Sequence, residues 1–231
     1  MIEGAKRLPP FRPELRAAIR EGRKTQTRRV VKPQPDYRHD VVMQGRGTSM
    51  HGNDWRFGIS GICKSTDWDD EWVSCPYGRP GDVRFLTEPL IDVGGVAAYR
   101  DSDPMYSDAF AGTYVLVDGK VMPWRWQNPY LTSIYMPNEA ARTFVRIVSV
   151  RVERVTEITR SDIRAEGVTI PPHMSNEESY KRAYLNAWVS LWDSINGERD
   201  GGKYAWDKAP WVWVIEWEPI ESTTTSKGTH E

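Results

Sequence analysis

The sequence predicts an α+β fold: a small, largely antiparallel β-barrel flanked by a few helices. Three observations lead there. Arg142 to Val155 (RTFVRIVSVRVERV) alternates with the period of a strand: Phe144, Arg146, Val148, Val150, Val152 and Arg154 share one side, and Val145, Ile147, Ser149, Arg151, Glu153 and Val155 the other. Glu177 to Ile195 carries Tyr180, Tyr184, Trp188, Leu191 and Trp192 at helical spacing. The middle of the chain lacks the regular strand and helix alternation that a parallel, doubly wound sheet requires.

The other elements follow in chain order. Pro13 opens a short helix with Leu15, Ala18 and Ile19 on one face, and Gly22 stops it. Gln26 to Val31 is compatible with a strand, which Pro33 and Pro35 terminate. Residues 33–81 are rich in Gly, Pro, Asp and Ser, show no sustained period, and read as a loop-rich insertion walling a pocket. Arg79 to Asp82 (RPGD) is a turn, and Val83 to Glu88 follows as a strand. Gly95 to Arg100 and Thr113 to Val121 are short strands, the latter folding back at Asp118-Gly119. They flank and enter a second loop-rich stretch, 101–130, which ends in the aromatic loop PWRWQNP.

Thr159 to Asp162 caps a helix that runs to Glu166 and stops at Gly167. Asn196-Gly197 ends the long helix. Trp211 to Trp217 (WVWVIEW) is apolar on both faces, so an interior strand is expected. Residues 219–231 hold too little apolar surface to fold and are expected to be a mobile tail after a single domain, 1–218.

Bulk properties narrow the function classes. Lys plus Arg (31) nearly balance Asp plus Glu (32), so no global field draws the protein to nucleic acid or an anionic membrane. No apolar run approaches the roughly 18 residues of a membrane span, and MIEGAKRLPPF lacks the apolar core of a secretory signal, so a cytoplasmic location is expected. Cys63 and Cys75 read as free thiols, and His39, His51, His173 and His230 offer no zinc spacing. Neither a metal nor a cofactor is expected.

Chemistry concentrates in Glu21 to Val31 (EGRKTQTRRVV), where a lysine, two threonines and three arginines follow a glycine at a helix-to-strand junction. Thr27 can act as a nucleophile if a neutral lysine takes its proton. Lysine starts near a pKa of about 10.4, so Lys24 needs burial or nearby positive charge, which Arg23, Arg28 and Arg29 can supply. Strand positions three apart face opposite ways, so Lys24 and Thr27 converge only if the chain turns between them. The same residues also have plain structural readings: threonine is ordinary in a strand, lysine suits a helix end, and a glutamate before glycine is commonly solvated.

GRKTQTRR, RPGDVRF, SIYMP with Ala141-Arg142, ITRSDIRAEGV, LWDSINGER and PWVWVIEWE together resemble the ASCH-domain family of the PUA-like superfamily, in particular the long ASCH proteins of phages and prophages. The blocks spread from residue 13 to residue 218. The resemblance implies a small β-barrel with a helix-flanked cleft. It also implies an amidohydrolase that removes acyl groups from the exocyclic amine of acylated cytosine nucleosides or bases. The family pattern G-[RK]-K-T-x-T falls on Gly22 to Thr27, and its later glutamate on Glu166, which implies Lys24, Thr27 and Glu166 as the catalytic set. Arg23, Glu88, Ser133 and Tyr135 are the implied substrate contacts. The chain departs from its long relatives at Thr87, where they often carry arginine beside the glutamate.

Two other functions stay open. PUA-like domains commonly read nucleic acid, so a binder of RNA or modified bases is one, with Trp124 and Trp126 as stacking candidates. An ASCH-type ribonuclease using Lys24 and Glu166 as acid and base is the other.

Overall fold

The structure is a computed structural model, and it describes residues 2–35, 41–45, 54–58, 72–100, 114–170 and 176–220. Cys63, the four histidines and the chain after Ile220 lie outside those residues. The strands up to residue 100 are β1 (Lys6–Arg7), β2 (Gln26–Val30), β3 (Val41–Gln44), β4 (Asp54–Gly58), β5 (Val73–Ser74), β6 (Val83–Phe85), β7 (Leu90–Val93) and β8 (Val96–Tyr99). Those after it are β9 (Leu116–Val117), β10 (Lys120–Val121), β11 (Tyr130–Leu131), β12 (Phe144–Arg154) and β13 (Trp211–Ile220). The helices are α1 (Pro13–Arg20), α2 (Arg160–Ala165) and α3 (Glu177–Asn196). This is a mixed α+β chain with mostly antiparallel pairing, β1 with β6 being parallel. Among the described residues no sheet closes into the expected barrel: the strands form separate open sheets, and most are too short to carry pairing around a ring.

The chain divides into two compact units. The first comprises Met1–Arg20, Asp82–Arg146 and Glu218–Glu231. Here β6 lies between β1 and the start of β12, and β7 lies between β8 and β11. Gly94 and Gly95, both at positive φ, close the β7–β8 hairpin, and Asp118 and Gly119 close β9–β10 as the sequence predicts. Phe85, Leu90, Tyr99, Met122, Met136 and Phe144 form the core. Trp124 and Trp126 meet edge to face at 5.0 Å or less (4.9 Å) and pack against this core. On α1, Leu15, Ala18 and Ile19 are buried as their spacing predicts.

The second unit comprises Glu21–Gly81 and Ile147–Trp217. In it β13 sits between β12 and β2, which explains why WVWVIEW is apolar on both faces. One face is covered by α2 and α3 through Ile163, Trp188 and Trp192 packing with Val30, Val212 and Val214. On the other, Trp55 meets Trp213 at 5.0 Å and Phe57 meets Trp211 at 5.4 Å. Those two rings belong to β4, within the stretch read as irregular. That stretch carries the antiparallel sheet β3-β4-β5. Strands of two to five residues give too few alternations to register as a period. The long helix does end at Asn196, but Gly197 keeps a helical φ of −57, and the chain turns left-handed only at Asp200 and Gly201.

Candidate active site

Local signals bring Lys24 and Glu166 together in the second unit. Thr159 caps α2 and shares a capping box with Asp162, Glu166 is its last cap residue, and Gly167 at φ +87 releases the chain. Just before β2, Lys24 and Glu166 form an antiparallel bridge, and the Thr25 N–H donates to the Ala165 carbonyl at 2.8 Å. On the opposite side the Trp217 N–H donates to the Thr25 carbonyl at 2.9 Å. The backbone is thereby fixed on both edges at the point where the lysine leaves it.

The Lys24 ammonium is 1% exposed and donates to Glu166 Oε2 at 2.6 Å, the Glu166 carbonyl at 2.9 Å and the Gln26 carbonyl at 2.6 Å. All three of its protons are used. Burial pushes its pKa below the ordinary lysine value; the Glu166 carboxylate opposes that, and Arg29 and Arg28 add to it.

Around this pair lies a polar network on the helix-covered face. The Arg28 side chain has no exposure and makes four hydrogen bonds and one further ion-pair contact. Nε and Nη2 go to Glu153 Oε1 (3.1 and 2.5 Å), Nη1 to Gln26 Oε1 (2.6 Å) and Glu166 Oε1 (3.3 Å), and Nη2 also to Asp162 Oδ2 (3.3 Å). Gln26 Nε2 donates to Asp162 at 3.0 Å and Glu216 at 2.7 Å. Ser149 Oγ donates to Glu216 at 2.7 Å, and Arg151 pairs with Glu153, Asp162 and Glu216. Burial alone would raise Asp162, but hydrogen bonds from Thr159 and Gln26 and the charge of Arg28 hold it at about 2. Glu216 is likewise held below its usual range, against burial, by Ser149, Arg151 and Gln26.

Thr27 is 5% exposed and pairs with Ile215. Because Gln26 and Arg28 turn to the helix-covered face, alternation sends Thr27 and Arg29 out on the other. The Thr25 carbonyl points to β13, so the Gln26 carbonyl that receives the lysine points to the far edge of β2. The Lys24 ammonium thus sits at a strand edge where the two faces meet, which is why Arg28 and Arg29 both act on it.

The remaining sequence-predicted contacts are held by other partners. Arg23 is exposed at the surface of the second unit and pairs with Glu21 at 2.5 Å. Glu88, Ser133 and Tyr135 belong to the first unit. Glu88 is 2% exposed and held by Arg20 at 2.7 Å and by both Arg142 Nε (2.9 Å) and Nη2 (2.8 Å). Ser133 and Tyr135 lie on a 3-10 turn, and Tyr135 is 71% exposed. Among the described residues no group of His, Cys, Asp and Glu is arranged to hold a metal ion.

Compared with family models, with curated proteins and with solved structures, the chain has no match in any of the three. Gln26, Glu153, Asp162 and Glu216 complete the cluster and were not among the sequence-predicted site residues. Two signals for them were in the sequence: Ser149, Arg151 and Glu153 fall on one side of β12, and Glu216 interrupts an otherwise apolar interior strand. A buried lysine and carboxylate one hydrogen bond apart can pass a proton between them, which suits a reaction that removes one proton and returns another.

Proposed function

We propose that this chain is an ASCH-type amidohydrolase that removes acyl groups from the exocyclic amine of N4-acylated cytosine nucleosides or bases, and that its sheets belong to a PUA-like barrel. The observation that carries the reading is the buried Lys24–Glu166 hydrogen bond of 2.6 Å, between the two blocks that carry the implied catalytic residues. Passage of the shared proton to Glu166 leaves a neutral Lys24 amine. That amine takes the proton of Thr27 Oγ1, or of a water, as the oxygen bonds to the acyl carbon. The C–N bond then breaks as Glu166 protonates the departing nitrogen. With Thr27 as nucleophile, a water releases the acyl group from the threonine in a second step. The balance is amide plus water to carboxylic acid plus amine.

One observation favours a second reading. Since every Lys24 proton already has an acceptor, the pair also fits a structural tie that fastens the end of α2 to β2.

Incubation with N4-acetylcytidine, and separately with single-stranded RNA in chelator, separates these functions. Cytidine appears with the wild type and is lost in folded Lys24→Met and Glu166→Gln proteins. RNA shortening without cytidine would make the chain a ribonuclease, and salt-sensitive RNA binding without either product a nucleic-acid binder. Inertness toward both, with Lys24→Met failing to fold, would leave the structural tie.

A further inference from the structure

We propose that Arg28 is the positioning residue of this site: its guanidinium holds Oε1 of Glu166 while Lys24 holds Oε2, so that the carboxylate offers one fixed oxygen to the lysine. The placement stands on geometry, and its kinetic consequence rests on the amidohydrolase reading above. A glutamate carboxylate turns easily about its terminal torsion, which has a broad preference. Held at one oxygen it exchanges its two oxygens freely; held at both it cannot. Arg28 also reaches Asp162 in the first turn of α2 as well as Glu166 at its end, so one buried side chain fixes both ends of that helix against β2. Glu153 and Gln26 hold Arg28 itself in place.

Only a guanidinium fills this position. Four hydrogen bonds and one ion-pair contact in one fork exceed the three donors of a lysine, whose ammonium keeps the charge and loses the geometry. Charged groups facing the Lys24–Glu166 pair are Arg28 and Arg29 on β2, Arg151 and Glu153 on β12, Asp162 on α2 and Glu216 on β13. The positive charge of Arg28 works against Lys24 keeping its proton, so removing that charge and removing its geometry have different signatures.

Arg28→Lys and Arg28→Met separate them, in the full chain, with circular dichroism and a thermal melt to show folding. Arg28→Lys is expected to keep KM and the pH profile of N4-acetylcytidine hydrolysis while kcat falls on the order of 100-fold. Arg28→Met is expected to lose kcat similarly and to move the basic limb to higher pH. The Lys24 titration, read by 13Cε NMR of labelled lysine and assigned with Lys24→Arg, moves the same way without substrate. Arg28→Gln replaces Arg28→Met if the latter does not fold. Wild-type kcat in Arg28→Lys, or a Lys24 titration unmoved by loss of the Arg28 charge, overturns the proposal. Failure of the wild type to release cytidine overturns the amidohydrolase reading instead, and the NMR titration then decides the role of Arg28.

Discussion

Among the described residues the two units each bury one glutamate against cations, and the partners of the two differ in kind. Glu88 in the first unit and Glu166 in the second are 2% and 3% exposed. The partners of Glu88 are Arg20 and Arg142, whose side chains are 26% and 28% exposed. Both partners are guanidiniums. Arg142 also lies over the Tyr99 ring at 3.7 Å, and burial pushes that phenol up to about 12. Glu166 meets a lysine that is 1% exposed and whose pKa burial has lowered. Glu166 is thus set against a buried lysine as well as Arg28, and on the proposed reading that lysine is the group that exchanges a proton.

The largest effect tests that contrast directly. Lys24→Met should lower kcat by about 1,000-fold or more, within the range that positioned acid and base groups contribute. Glu88→Gln should instead lower stability by about 3 kcal/mol, measured by urea unfolding, while leaving the shape of the pH–rate profile unchanged. A shifted profile in Glu88→Gln would break the contrast.

Next in size is the coupling between Lys24 and Glu166. Each single apolar substitution strands a buried charge and should cost about 3 to 5 kcal/mol, whereas Lys24→Met with Glu166→Leu should recover most of that loss. Full additivity of the two would mean that the charges are not paired in solution.

A smaller effect concerns acid stability. The folded pKa of Asp162 lies near 2, below its ordinary value of 3.8, so the unfolded chain binds more protons between those limits. Its contribution is fully present above about pH 4 and is lost as pH falls toward 2; lowered Glu216 acts in the same direction. Asp162→Asn should therefore flatten the acid limb of the stability curve, and an unchanged slope in urea titrations would contradict it. The smallest effect is at Tyr135: with 71% exposure, Tyr135→Ala should change stability by less than about 0.5 kcal/mol.

Legibility in the sequence followed the length of each pattern. The eleven residues of β12 and the twenty of α3 gave enough repeats to be read, and the stops at Gly22 and Gly167 rest on backbone that glycine favours. Strands β3 to β5 and β7 were not legible, because two to five residues give at most two alternations, and Trp55 and Phe57 announce a buried face only once Trp213 and Trp211 are seen across from them. Within the site, Lys24 and Glu166 were found through their motif blocks. The partners of Arg28 were not, since Glu153 lies 125 positions away and nothing in a single sequence pairs them. Separation of the candidate set was unreadable for the same reason: Glu88, Ser133 and Tyr135 share a unit with one another and not with Lys24.

The most direct test of the central claim is the pH dependence of kcat/KM for N4-acetylcytidine, comparing the wild type with Lys24→Met. The account predicts that the wild type releases cytidine and acetate with a rate that falls on the basic side through a pKa below that of an ordinary lysine, and that the folded variant shows no such limb. Equal turnover by Lys24→Met, or a wild-type profile without that limb, would contradict it.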